Sequence, residues 1–290
     1  MKILITGGTG FLGRNLVPHL KSHELIFLGR KNTLDQSNIQ FIQYDIQEKT
    51  IPEVPSQIDL VLHLAAIPSG EANSIEDYFK VNVLGTKNIV NLAKKNSIPR
   101  IIFISSTSVY GNWKKEEFLE TDELLGKTPY AVSKIQAEQE VINSGLDYCI
   151  LRVASVFGKD SKSFLYKLVK LSEKGILPYP LNESYKSFIH IDDLVNYLLI
   201  TIDKKISGIY NLAQTEPVSI LKIINLISKN KKIISIPIPS FLNKLETLLR
   251  YITGIEIGLK PLFESCIVST KKSKLYFEYE AEKKILNEFS

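Results

Sequence analysis

Only two cysteines, Cys149 and Cys266, occur among 290 residues, and they lie far apart in the chain. That count and spacing exclude a disulfide framework and a cysteine metal site, leaving two buried, reduced thiols as the expectation. No apolar run reaches the roughly twenty residues needed to cross a bilayer. The opening MKILITGG lacks the basic, apolar and small-residue segments of a secretory leader, so a cytoplasmic chain with no membrane partner is expected. Positive charge is in slight excess, at +5, but lysine doublets such as Lys94-Lys95, Lys114-Lys115 and Lys231-Lys232 are scattered among acids. Without clustering or stacking aromatics, that excess does not make a nucleic-acid surface. Internal repeats and low-complexity linkers are lacking as well.

What is present is alternation. Apolar runs of strand length (KILIT, ELIFL, IQFIQY, DLVLHLAA, RIIFISS, YCILRVAS) are interleaved with helical patterns (FLGRNLVPHLKS, SIEDYFKVNVLGTKNIVNLAKK, PYAVSKIQAEQEVINS). That order predicts an α/β fold, a Rossmann-type doubly wound parallel sheet whose strands are buried on both faces. Beyond about Ser155 the pattern loosens into SFLYKLVKLSEKG as a helix, SFIHI as a strand, DDLVNYLLITIDK as a helix capped by Asp192 or Asp193, and IYNLA as a strand. A stripe of Phe241, Leu245, Leu248 and Ile252, ending near Gly254, reads as a packed helix. The expected division is a dinucleotide-binding domain over 1–156, completed by 187–213. A smaller C-terminal α/β substrate-binding domain would take 157–186 and 214–290.

TGGTGFLG follows the first strand and opens the first helix, with glycines at 7, 10 and 13. In that context the three serve a tight turn, a close backbone approach to a pyrophosphate, and helix-on-sheet packing. At the end of the second strand an NAD site usually presents an acid to the ribose 2′-hydroxyl. This chain has Arg30 and Lys31 there, and a guanidinium pairs with a 2′-phosphate, so NADP is favoured over NAD. Asp45 is placed either to meet the adenine edge or to cap a helix.

PYAVSK puts Tyr130 and Lys134 four residues apart, on one helical face. A free phenol has a pKa near ~10, too high for a base at neutral pH. A lysine cation ~4 Å away, at an effective dielectric of ~20, favours the phenolate by about 4 kcal/mol, lowering that pKa by roughly three before desolvation opposes it. Ser106, at the carboxyl end of its strand, stands where open α/β sheets place ligands and can hydrogen-bond the same substrate oxygen.

The chain resembles the extended short-chain dehydrogenases/reductases, the epimerases, dehydratases and ketoreductases of nucleotide sugars. The resemblance runs through TGGTGFLG, LHLAA (62–66), VNVLGT (81–86), ISSTSVYG (104–111), TPYAVSK (128–134), LRVASVFG (151–158), FIHIDDL (188–194) and IYNLA (209–213). It implies Ser106, Tyr130 and Lys134 as the catalytic residues. Cofactor contacts would come from Gly7, Gly10, Phe11, Leu12, Gly13, Arg30, Asp45, Ile46, Leu64, Ala65, Ala66 and Asn82, with Tyr130 and Lys134 at the nicotinamide ribose. Substrate contacts would come from Ser106, Thr107, Ser155 and Lys186. It also implies a homodimer paired through the helices at 74–96 and 128–144.

Departures from the family pattern narrow the reaction. Dehydratases carry Asp-Glu directly after the Ser/Thr position, whereas this chain has Thr107 and Ser108, which cannot shuttle protons at neutral pH. An epimerase or a 4-ketoreductase of a nucleotide sugar is therefore expected. Ser155 replaces a usual Asn, and Lys186 replaces an Arg that grips the diphosphate, losing the bidentate fork but keeping the charge. Those two changes keep open a reductase of a non-sugar carbonyl compound. A silent dinucleotide-binding sensor or assembly protein has no chemical reason to retain Ser106, Tyr130 and Lys134 together. His190 and Asp192 read as structural.

Overall fold

Seven segments pair into one parallel sheet, and apart from the edge strand at 39–43 each buries most of its residues. The computed structural model describes residues 1–31, 39–111, 115–161, 163–229, 233–239 and 262–288. The strands β1 (Lys2–Thr6), β2 (Glu24–Gly29), β3 (Ile39–Gln43), β4 (Leu60–His63), β5 (Arg100–Ser106), β6 (Asp147–Val153) and β11 (Gly208–Leu212) lie in the order β3-β2-β1-β4-β5-β6-β11. This is the doubly wound arrangement, and the order reverses between β1 and β4, the place where such sheets bind ligands. One apolar core forms on each face. The first joins Ile3, Ile5, Leu25 and Leu62 with Leu194 and Leu198 of α6 (Ile191–Asp203), and the second joins Leu4, Ile26, Val61 and Ile101 with Ile89 of α3 (Gly85–Lys95).

Local chemistry sets where elements stop. The first helix is α-helical only over α1 (Phe11–Leu16) and tightens to a 3₁₀ turn at Val17–His19, because Pro18 has no N–H to continue the ladder. The long second helix opens at α2 (Ile75–Tyr78) with a reciprocal capping box between Ser74 and Asp77. It passes through a π-helical stretch at Phe79–Leu84 before continuing as α3. The helix α4 (Pro129–Ile142) is capped by Thr128, whose hydroxyl accepts from Ala131 N at 3.0 Å, with proline at its first position.

The remaining elements are β7 (Ser155–Phe157), α5 (Phe164–Glu173), β8 (Ile176–Pro180), β9 (Tyr185–Lys186), β10 (Phe188–His190), β12 (Val218–Ser219), α7 (Ile220–Ser228), β13 (Ile234–Ile238) and α8 (Lys271–Phe277). Phe157, Leu165, Leu177, Phe188, Ile223 and Leu262 gather into a third core of their own. The expected aspartate cap of α6 is corrected. His190 is the cap, its Nδ1 accepting from Asp192 N at 3.1 Å, while Asp192 pairs with Lys283. The buried Asp193 instead accepts from Tyr279 Oη at 2.5 Å and Lys283 N at 3.1 Å, clasping the C-terminal segment to α6. The stripe at Phe241–Ile252 lies outside the described residues. Both cysteines are free; Cys149 is buried in the sheet, which pushes its thiol up to about 12, and Cys266 is only partly buried.

Candidate active site

β1 delivers the chain into a turn that only glycine fits. Gly7 has φ +72°, and a Cβ there would sit 2.6 Å from Ala65 N; one at Gly13 would sit 2.3 Å from Gly8 O. Gly10 differs. It is exposed, its φ is not positive, and a Cβ there would meet only Gly7 O, at 3.1 Å, a tight contact but far milder than those at Gly7 and Gly13. The open cradle at Gly10 fits the close approach of a dinucleotide pyrophosphate. Around it stand Phe11 and Leu12, partly buried, and the segment Leu64–Ala66 after β4, which the Gly7 turn touches. Arg30 is exposed at the end of β2. Asp45 caps a turn, its Oδ1 accepting from Gln47 N at 3.0 Å, and Ile46 packs where any side chain at Gly85 would go.

The capped start of α4 packs against β5 and the 3₁₀ turn that follows it, and Lys134 on that helix reaches the Ile104 carbonyl, two residues before Ser106. Lys134 is 2% exposed; its Nζ donates to Ile104 O at 2.6 Å and lies 4.1 Å from the centre of the Phe103 ring. Burial drives its pKa down to about 7, against the nearby Glu138 charge, which raises it. Ser106 caps the 3₁₀ turn Thr107–Tyr110, its Oγ accepting from Ser108 N at 3.2 Å, which leaves its own O–H available to donate. The Tyr130 ring meets Tyr78 edge-on at 5.8 Å, and Tyr78 Oη accepts from Gly70 N at 2.7 Å, tying the loop after β4 to the same spot.

A buried polar chain joins the glycine loop to α4. Strand register places Thr6 opposite His63, and His63 opposite Phe103. Thr86 donates to Asn82 O at 2.6 Å, so its Oγ1 accepts from His63 Nε2 at 2.9 Å. Nδ1 is then bare and accepts from Thr6 Oγ1 at 2.6 Å, while Thr6 accepts from Ala65 N. Burial, reinforced by the Lys134 charge, lowers the His63 pKa to about 3, so the imidazole is neutral. Asn82, inside the π-helical stretch, donates through Nδ2 to Ser133 Oγ (3.0 Å) and Ile67 O (3.2 Å) and accepts from Ile67 N (2.8 Å). The resemblance gives Asn82 to the cofactor; in the fold its amide clips the loop after β4 to α4.

On the opposite side the segment 265–268 forms a wall that sequence reasoning missed. Ser187 N donates to Cys266 O, Val268 N donates to Ser187 Oγ, and the Cys266 thiol faces Thr107 O at 3.8 Å. Burial raises the Cys266 pKa, opposed by the charge of Lys186, which places Lys186 beside this wall. Thr107 is buried, Ser155 opens β7, and the Ser108 Oγ is buried with no hydrogen-bond partner. Also missed was Glu138, one turn beyond Lys134. It forms a buried ion pair with Arg152; its i, i+4 spacing puts it on the Lys134 face of the helix, but nothing in the spacing signals Arg152, fourteen residues on.

The sequence profile of the NAD dependent epimerase/dehydratase family matches residues 3–213. The chain belongs to this family. It is accordingly an enzyme of the extended short-chain dehydrogenase type, a family that works with nicotinamide dinucleotides. It is 29% identical over 263 residues to the UDP-glucose 4-epimerase of Vibrio cholerae, covering 84% of this chain and 80% of that protein. UDP-glucuronic acid 4-epimerase from Bacillus cereus, solved with UDP-glucuronic acid and NAD, superposes with a TM-score of 0.81 at 23% identity over 99% of this chain and 96% of that one. DesIV, a dTDP-glucose 4,6-dehydratase from Streptomyces venezuelae solved with NAD, gives 0.80 at 18% identity over 99% and 94%. At those identities the two structures establish a shared fold. Among the described residues no helix is long and apolar enough to cross a membrane, and no cluster of metal-ligating side chains occurs.

Proposed function

We propose that the protein is a nucleotide-sugar 4-epimerase. The observation that carries this reading is that Lys134 of α4 reaches the Ile104 carbonyl two residues before Ser106, in the helix that opens with Tyr130, with hydroxyl residues at 107 and 108 where a dehydratase needs two acids. Gly7, Gly10 and Gly13, with Leu64–Ala66, would hold a nicotinamide dinucleotide, which supplies hydride acceptance and return when bound. Tyr130 takes the proton of the sugar 4-hydroxyl and gives it back. The Ser106 hydroxyl donates to that same oxygen and steadies its charge. Lys134 biases Tyr130 toward the phenolate and binds the nicotinamide ribose. Lys186 holds the diphosphate as a point charge, with Thr107 and Ser155 lining the sugar. The segments 157–186 and 214–290, whose described part builds most of the third core, serve as the substrate domain.

A 4-ketoreductase is the second reading, and Arg30 favours it because a reductase exchanging NADPH needs a 2′-phosphate partner. The neighbouring structures hold NAD, which favours the epimerase. Incubation with UDP-glucose and NAD is expected to yield UDP-galactose, with near-stoichiometric NAD released when the purified protein is denatured. An empty site and consumption of NADPH would select the reductase. Tyr130→Phe is expected to lower turnover by about 10²- to 10⁴-fold, and a variant with full activity would refute the acid/base role.

A further inference from the structure

Lys134, in the second turn of α4, has few counter-charges among the described residues. His63 on β4 is neutral, β5 offers the Phe103 ring and the Ile104 carbonyl, and Tyr130 precedes it on its own helix. The carboxylate facing it is Glu138, one turn further along α4 and fully buried. Glu138 is fixed from two strands in register, since Ser105 on β5 and Arg152 on β6 lie opposite one another. Ser105 Oγ donates to Glu138 Oε1 at 2.5 Å, and Arg152 donates through Nε at 3.1 Å and Nη2 at 2.8 Å. Arg152 is held in turn by Tyr110 Oη at 3.0 Å and Glu120 O at 2.9 Å, and Tyr110 donates to Asn211 Oδ1. Burial opposes the guanidinium charge, and the bonds to Glu138 overcome it. An ion pair this deep is costly to assemble and contributes little stability over an apolar pair of the same volume. Its geometry does hold a carboxylate at one fixed place beneath the active-site lysine.

We propose that Glu138, clamped by Arg152 and Ser105, is a positioning residue that keeps the buried Lys134 ammonium charged and so maintains Tyr130 in its acid/base role. Glu138 touches no reacting atom; it acts through Lys134. The proposal rests on the Ser106, Tyr130 and Lys134 reading above and adds the group that sustains it. At about 6 Å and an effective dielectric of ~20, one carboxylate favours the ammonium by roughly 3 kcal/mol, equivalent to about two pH units.

The test reads Lys134 directly. In protein labelled with ¹³C at lysine Cε, the Lys134 resonance is assigned by its absence in Lys134→Met and titrated with no substrate present. Glu138→Gln is expected to move its midpoint down by about one to two pH units, and Glu138→Asp to keep most of the wild-type midpoint. Should the glutamine variant fail to fold, the paired Glu138→Leu/Arg152→Leu variant is expected to move the midpoint down by less than Glu138→Gln would, because the lost carboxylate and the lost guanidinium partly cancel at Lys134. A folded variant with an unmoved midpoint overturns the proposal. Interconversion of UDP-glucose and UDP-galactose on the same proteins keeps the two readings apart. Wild type without turnover overturns the epimerase reading, while the Lys134 midpoint still decides the role of Glu138. With turnover, Glu138→Gln is expected to lose about tenfold in kcat at pH 7, its acid limb moving to higher pH, with KM within about twofold.

Discussion

His63 shows at a single residue what burial does to charge. In the folded chain its pKa falls from 6.5 to about 3, first because it is buried and then because Lys134 is near. Below pH ~6.5 the unfolded chain takes up a proton that the folded chain refuses until about pH 3. The unfolded state binds more protons through that window, so stability falls as pH falls, by up to about 1.4 kcal/mol per pH unit. His63→Gln keeps one donor and one acceptor without titrating. Urea midpoints at pH 7 and pH 5 are therefore expected to fall further for wild type than for the variant, and equal losses would refute the assignment. Tyr130, Lys134 and Ser106 were legible in the sequence because their spacing and strand-end position carry chemistry. His63 was not, since a histidine within LHLAA gives no sign of its partners until register sets Thr6 and Phe103 on either side.

Elements show how the glycine loop divides its labour. Gly7→Ala forces a side chain into positive φ against the Ala65 backbone, and a loss of more than about 1 kcal/mol in thermal stability is expected. Gly10→Ala meets only one tight contact, at Gly7 O, so it should cost the apoprotein less than Gly7→Ala does, within about 1 kcal/mol, while abolishing stabilisation by dinucleotide. Two differential-scanning melts per variant, with and without NAD, check both; a Gly10→Ala protein still stabilised by NAD would sink the cradle assignment. The π-helical stretch is a second case. Asn82→Ala leaves the Ile67 N–H and C=O without their partner, and a loss of about 2 kcal/mol is expected from the urea midpoint at unchanged m. Nothing in FKVNVL announces a π turn, because the extra residue is selected by contacts to Ile67 and Ser133 that are distant in sequence. Pro18, by contrast, announces the end of its helix in any context.

For the whole molecule, two cores sandwich the parallel sheet and a third lies under α5 and α7. A dinucleotide bound only by the folded chain, at a hundredfold excess over Kd, adds about 2.7 kcal/mol, which for a chain of this size is roughly 4 °C in Tm. Comparing NAD with NADP in that melt reports directly on Arg30, and an equal lack of shift with both would refute the dinucleotide site. The homodimer that the resemblance implies, through the helices at 74–96 and 128–144, is checked by sedimentation at micromolar concentration, where a monomer refutes it.

By itself, the sequence determined the doubly wound parallel class of the sheet and the glycine turn, and it supplied the Ser106, Tyr130 and Lys134 spacing on which the proposed function rests. Each of these depends on local conformational limits or on a period that hydrophobic burial imposes along the chain. Tertiary structure alone decided that His190 caps α6, that Asp193 clasps the tail, that the Cys266 thiol faces the Thr107 carbonyl, and that Arg152 pairs with Glu138. The physical reason is that a buried polar group takes whichever partner the packed strands bring within hydrogen-bond reach, and strand register, not spacing along the chain, sets that choice.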